Sequence, residues 1–237
     1  MPPEFKCSRE VILPASPEQV WEAVATAAGN AAWMFPTEID PDGDAVKVWD
    51  PPHHLAVRME RGDWFNALEY LIEGREGGTS VLRYVHSGIF VENWGTQYDA
   101  VQQHTDFYLH TLGEYLQHFE GRTATYVGEV PQGIQGPPSS ATPDGFQRLR
   151  RALGIGAQAN EGDSVRLAGQ GLQPIEGVLD YLRPNFIGVR AADALYCFFG
   201  RNAFGAPVGM SIHSFSDDVD ADQTRRQWQQ WLATALA

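Results

Sequence analysis

The segment from Gly77 to Phe119 constrains the fold of this chain more than any other part of the sequence. It begins with a glycine pair and a run rich in β-branched and aromatic residues, which is typical of a half-buried strand. A short irregular connection follows. Apolar residues then recur at spacings of three and four, as on one face of an α-helix of about six turns. This apolar stripe consists of Val101, Thr105, Tyr108, Leu109, Leu112, Leu116 and Phe119.

An apolar stripe of this length must pack on another element, and a curved antiparallel sheet is the expected partner. Two earlier stretches add strands and a helix in front of it. VILPASPEQVWEAVATAAGNAAWMF predicts a strand, a proline turn and a helix capped by Ser16, with Gln19 completing a capping box. VKVWDPPHHLAVRM predicts two strands joined by an Asp-Pro-Pro turn.

These stretches, followed by GGTSVLRYVHSGIF and LHTLGEYL, resemble in their order the START-related helix-grip (SRPBCC) superfamily. Within it they are similar to the activator-of-heat-shock-protein-ATPase homologues, over about residues 5 to 121. The resemblance implies an α+β helix-grip fold, a curved antiparallel sheet wrapped on a long C-terminal helix. One departure stands out: only a dozen residues separate Trp33 from Val46, where relatives usually have two strands. The hairpin is therefore expected to be much shortened, or one strand to be missing.

The second half of the chain repeats the order of the first. After a Gly/Pro-rich stretch at 131–144, which has the composition of a surface connection, Thr142 and Pro143 predict a helix start. Strand-like runs and a closing amphipathic helix, Asp220 to Leu236, follow. We expect a helix-grip domain at 1–122 and a second, degenerate copy at 123–237. The alternative is an extension whose strands complete the first, shortened sheet.

Composition limits the partners and the compartment. Thirty acidic and seventeen basic residues give a net charge of −13, which disfavours nucleic acid and anionic membranes as partners. The sequence contains no apolar run of membrane-spanning length and begins without a signal-peptide pattern, so a soluble, cytoplasmic protein is expected. The two cysteines, Cys7 and Cys197, fit reduced packing thiols better than a disulfide framework.

The sequence has no strong catalytic motif: it lacks a phosphate-binding loop, a nucleophile elbow and a His-Glu-x-x-His helix. His104, His110 and His118 are six and eight apart, so they do not share a helix face as a metal pair would. We therefore expect no metal and no cofactor. If the protein is an enzyme, the expectation is a cyclase- or lyase-like activity by acid–base chemistry.

The resemblance also places candidate site residues between the sheet and the long helix. His86, His104 and Glu69 are the acid–base candidates, although Glu69 also fits a solvated sheet residue. Thr105 stands where relatives usually have a tryptophan, which would leave room for a ligand. Phe90 and Trp94 form either a lid or a cover over the sheet edge. The candidate ligand-binding residues are Tyr70, Leu82, Tyr84, His86, Phe90, Trp94, Tyr98, Thr105, Tyr108 and Leu112.

Two classes of function are consistent with the sequence. The first is binding of a small hydrophobic or aromatic molecule in an apolar cavity between sheet and helix. The second is a co-chaperone-like module that binds a protein partner through its surface. The chain is expected to be a monomer or a homodimer. Trp228 and Trp231 lie on one face of the last helix and are expected either in the core or at a dimer contact.

Overall fold

The computed structural model describes residues 4–89, 94–169 and 171–237, without the side chain of Trp94. The chain forms two compact units. The first unit consists of residues 4–30 and 36–121, and the second of residues 31–35 and 122–237.

The first unit contains an antiparallel sheet and three helices. Its elements are β1 (Glu4–Leu13), α1 (Pro17–Ala25), α2 (Ala27–Asn30), β2 (Val46–Asp50), β3 (His54–Arg61), β4 (Trp64–Arg75), β5 (Thr79–Ile89) and α3 (Trp94–His118). Within the described residues the sheet has five strands in the order β1-β5-β4-β3-β2. The capping box predicted for α1 is confirmed: Gln19 N donates to Ser16 Oγ, and Ser16 N donates to Gln19 Oε1.

Strand alternation gives this sheet an apolar inner face and a polar outer face. On β4, Tyr70 and Ile72 are buried on the inner face, while Glu69 and Glu73 lie on the outer face. Helix α1 lies over one end of the inner face, where Trp21 packs edge-on against Trp49 with ring centroids 5.1 Å apart. Helix α3 runs along β1 and buries Leu109 and Leu112.

After Trp33 the structure departs further from the usual helix-grip pattern than the sequence predicts. The structure has no strand between residues 31 and 45, all of which it describes, so both strands of the usual hairpin are absent there. Residues 31–35 belong to the second unit instead. Within that unit, the Nδ1–H of His213 donates to the carbonyl of Ala31 at 2.8 Å.

The second unit has the same order of elements, with a larger sheet. They are β6 (Thr125–Val127), β7 (Ile134–Gln135), α4 (Gly145–Ala152), β8 (Ser164–Leu167), β9 (Ile175–Arg183), β10 (Phe186–Ala191), β11 (Ala194–Phe199), β12 (Gly209–Ser214) and α5 (Ala221–Ala235). In the described residues, strands run β6-β12-β11-β10-β9-β8, and β7 also pairs with β12.

In both units the first strand pairs with the last strand of a meander, and a long helix follows. The prediction of tandem helix-grip copies is therefore confirmed. The alternative, in which the second half completes the first sheet, is wrong, because the two halves form separate sheets.

The inner face of the second sheet is filled by its closing helix. Trp228 and Trp231 of α5 are buried, with ring centroids 5.4 Å apart, and they join a core that includes Phe198, Met210 and Leu232. Of the two positions expected for these tryptophans, core or dimer contact, the structure shows the core. Helix α4 begins at Gly145, later than expected.

Thr142 does not cap α4, because its hydroxyl donates to the side chain of Asp144 at 2.8 Å. The Gly/Pro-rich stretch at 131–144 is also not a loose surface connection. Ile134 is buried and pairs with Met210 in the sheet, and Ser140 Oγ accepts from Val208 N at 3.2 Å. Gly133 permits this path, since its φ is +70° and a Cβ would lie 2.4 Å from the Met210 carbonyl oxygen.

Candidate functional site

The candidate site lies on the inner face of the first sheet, where polar side chains interrupt an apolar surface. Strand pairing places Tyr84 opposite Tyr70, and His86 opposite Leu68. On its other side His86 lies opposite Cys7 of β1. Because all of these positions share one parity, their side chains point to the same side of the sheet.

One end of this inner face is closed. Leu82, Leu112 and Tyr70 are buried, and the rings of Tyr70 and Tyr84 meet edge to face with centroids 5.2 Å apart. The hydroxyls of Tyr84 and Thr105 form a hydrogen bond, and Thr105 is only 5% exposed. Burial raises the pKa of both tyrosines above the usual range, so both stay protonated. The Tyr84 hydroxyl therefore lies against Thr105, where the sequence predicts open space.

The other end of the inner face is half open. Val57 and Leu68 are half-buried on neighbouring strands, and they pair directly with each other. Farther toward the β3–β4 turn, Met59 is 55% exposed and Trp64 is 36% exposed. Together these four side chains form an apolar surface that extends from the core to solvent, which is unusual for a closed domain core.

A hydrogen-bonded pair lies next to this apolar surface. The side-chain amide of Asn66 on β4 is 2.9 Å from His86 Nε2 on β5. Phe5 packs edge-on against the imidazole, with centroids 5.0 Å apart. Burial lowers the pKa of His86 to about 4, so the ring is neutral at physiological pH.

Several predicted site residues lie elsewhere. Glu69 is on the outer face, where it accepts a hydrogen bond from His54 Nε2 at 2.9 Å, so the solvated-sheet alternative describes it better. His104 donates from Nδ1 to the Ala100 carbonyl of its own helix. The Tyr98 hydroxyl donates to the Lys6 carbonyl at the edge of β1. These contacts direct all three side chains to other partners.

The structure brings Tyr70, Leu82, Tyr84, His86, Thr105 and Leu112 together on or against the inner face. Tyr108 is half-buried on α3 beside His104, with ring centroids 6.1 Å apart. Phe90 and the side chain of Trp94 lie outside the described residues, so the predicted lid stays a prediction.

Sequence reasoning missed five residues as site residues: Val57, Met59, Trp64, Asn66 and Leu68. The signal for Asn66 and Trp64 was present, since the alternation that places Tyr70 on the inner face of β4 places them there too. Val57 and Met59 become visible only when the register between β3 and β4 is known.

A separate groove lies between the edge strand β1 and helix α3. It has a volume of about 390 Å³ and is lined by parts of residues 9–14 and 106–117. A guanidinium–carboxylate pair between Arg9 and Asp106 crosses it. Next to it, Ile12 is 64% exposed.

The described ranges contain no cluster of three or more histidine, cysteine or acidic side chains that could hold a metal ion. Of the helices in those ranges, none is long and apolar enough to cross a membrane.

No family model matches the chain, and no curated protein matches its sequence significantly. Among solved structures, the Aha1 dimer from Colwellia psychrerythraea matches 49% of this chain and 99% of its own, with 14% identity and a TM-score of 0.40. The di-domain ARO/CYC BexL from the BE-7585A biosynthetic pathway matches 98% of this chain and 96% of its own, with 12% identity and a TM-score of 0.41. DynU16, from the dynemicin biosynthetic locus, matches 99% of this chain and 97% of its own, with 16% identity and a TM-score of 0.39.

The topology of the chain itself defines its class. Each unit has an antiparallel sheet whose first and last strands pair, followed by a long helix. The helix-grip fold expected from the sequence is thereby confirmed. The function proposed below rests on the geometry of the inner face of the first sheet.

Proposed function

We propose that the first unit binds a small neutral apolar or aromatic molecule on the half-open end of its inner face. The observation that supports this most directly is the His86–Asn66 pair, 2.9 Å apart, beside half-exposed apolar side chains. Ligand sites in proteins are mostly apolar surfaces with a few polar groups that fix the orientation of the ligand. This end of the sheet has both features.

The energetics favour an apolar occupant. Covering half-exposed side chains such as Val57 and Leu68 removes apolar surface from water, at about 25 cal/mol for each Å². Met59 and Trp64 extend the same surface toward solvent. Because His86 is neutral, the pair contributes no net charge, and a neutral ligand avoids the cost of burying an unpaired ion.

A second part of the proposal concerns proton transfer by His86. Of the three acid–base candidates, His86 lies on this face, whereas Glu69 is on the outer face and His104 is bonded to its own helix. A cyclase- or lyase-type reaction at this site would therefore use His86 to move a proton. Its lowered pKa makes it a weak base at neutral pH, which favours binding over catalysis as the main role.

Two matched variants test the binding proposal. Leu68→Lys places a charge on the inner face, and Leu71→Lys places the same charge on the outer face of the same strand, where Leu71 is also half-buried. Titration with an environment-sensitive apolar dye should show binding to the wild type and to Leu71→Lys, and a loss of about tenfold or more in affinity for Leu68→Lys. Equal loss in both variants, or no binding to the wild type, would contradict the proposal.

A protein-binding role is the second candidate, and the 64% exposure of Ile12 beside the β1–α3 groove favours it. The partner that can be tested directly is a second copy of the chain. Sedimentation should then show a dimer that Ile12→Lys disrupts and that Val130→Lys, at another exposed apolar residue, leaves intact. A monomer at all concentrations would argue against self-association through this surface.

A further inference from the structure

The hydrogen bond between Asn66 and His86 determines which atom of the imidazole can bind a ligand. The Asn66 amide nitrogen lies 2.9 Å from His86 Nε2, so Nε2 acts as the acceptor in this pair. A neutral imidazole has one N–H group, and with Nε2 accepting, the proton is on Nδ1. Within the described residues this is the hydrogen bond that the His86 ring makes, so Nδ1–H remains available as a donor.

The surroundings of the ring hold it in place and keep it neutral. Phe5 packs edge-on against it at 5.0 Å. Burial lowers the pKa of His86 to about 4. A half-buried donor beside apolar surface has a cost when it is left without a partner, because it loses water without gaining a protein acceptor.

Three charged side chains on the neighbouring strands, Arg9, Glu69 and Glu73, are paired or lie on the other face. Arg9, on the inner face of β1, is bound by the carboxylate of Asp106. Glu69 and Glu73 lie on the outer face of β4. The half-open end of the inner face therefore presents the Nδ1–H group of His86 beside an apolar surface.

We propose that His86 Nδ1–H donates to a carbonyl or similar acceptor of a neutral ring ligand, so that the site selects acceptor-bearing rings over hydrocarbons of the same shape. Asn66 acts as the positioning residue that sets the tautomer. This inference rests on the proposed function, since it names the chemical class of the ligand for the same site.

The test compares two rigid molecules of nearly the same shape, fluorene and 9-fluorenone, which differ in one carbonyl oxygen. Dissociation constants are measured for the wild type and for His86→Phe, which keeps a ring but removes the donor. The preference for fluorenone, expressed as the ratio of the two constants, should fall by about tenfold in His86→Phe, as expected for the loss of one hydrogen bond. Asn66→Leu keeps His86 but removes the hydrogen bond that fixes its tautomer, so it should lower the same ratio.

The outcomes separate this inference from the function on which it rests. If neither compound binds the wild type, the proposed function fails. If both bind but the ratio is the same in the wild type and in His86→Phe, binding stands and the directed donor is wrong. Nitrogen NMR of the imidazole gives a readout that does not depend on the ligand: the inference requires the proton on Nδ1 at pH 7, and a proton on Nε2 would overturn it.

Discussion

The inner faces of the two sheets differ in how much space the closing helix leaves. In the second unit, α5 contributes Trp228 and Trp231, which pack against each other, and Trp228 also packs against Phe198, so that face is a filled core. In the first unit, α3 presents smaller side chains such as Thr105 and Leu112 at the closed end. The other end retains half-exposed apolar residues and the His86–Asn66 pair.

The difference shows that one topology can pack its inner face in two ways. Two indole rings on the closing helix convert the inner face into packed core, and packed core is close to the density of an organic crystal, with little space for a ligand. Where the helix places Thr105 and Leu112 against the sheet, the sheet's own side chains decide what remains open. This contrast is the reason why the proposed ligand site is in the first unit and not on the inner face of the second.

The largest loss of stability predicted by this comparison is at Trp231. Trp231→Ala should lower the free energy of unfolding by about 3–5 kcal/mol, because it removes a buried ring and leaves a cavity. Urea unfolding checks this value, and dye binding to the first unit should be unchanged in the folded variant. Unchanged stability would mean that the indole is not part of the core and would remove the contrast between the two faces.

The next prediction adds a large ring to the closing helix of the first unit, as the second unit already has. Thr105→Trp should cost about 1–3 kcal/mol, because Tyr84 already occupies the space beside Thr105. Thermal unfolding measures the loss, and Thr105→Val is the control that removes the hydroxyl without adding volume. If Thr105→Trp is as stable as the wild type and abolishes dye binding, the closed end contains a cavity after all.

A pH dependence is expected from the second unit at His213, in addition to that of His86 in the first. Burial lowers the pKa of His213 to about 4, although its hydrogen bond to the Ala31 carbonyl opposes the shift. Since the unfolded value is higher, at about 6.5, the contribution to stability is complete above that value and is lost as pH falls toward 4. One such histidine should reduce the free energy of unfolding by about 2 kcal/mol between pH 7 and pH 5.

Comparing the wild type with His213→Asn isolates this effect, because an asparagine amide can still donate to Ala31 while it does not titrate. The variant should lose less stability than the wild type over the same pH range. Identical pH profiles would show that His213 is already accessible to protons in the folded state.

The sequence was sufficient for the features that depend on local periodicity. The alternation of β4 and the stripe of α3 identify the inner face, and the order of elements in the second half identifies the second copy. The capping box at Ser16 and the core position of Trp231 follow from local pattern as well.

Features that depend on distant contacts could not be predicted in this way. Residues 131–144 have the composition of a loop, yet Ile134 is fixed by strand pairing with Met210, more than seventy positions away. From the sequence, Thr105 suggests a cavity beside the helix. Only the structure shows that the Tyr84 hydroxyl is hydrogen-bonded to Thr105. Glu69 points outward by strand alternation, but its hydrogen bond with His54, fifteen positions earlier, is visible only in the structure.

The central claim is that a small apolar ligand binds the first unit and not the inner face of the second. The most direct measurement is a methyl NMR titration of the intact chain with 9-fluorenone. The account predicts shift changes at Val57, Met59 and Leu68 of the first unit, and none at Met210, Ile212 and Leu232 of the second. Changes confined to the second set, or shifts absent from both sets, would contradict it.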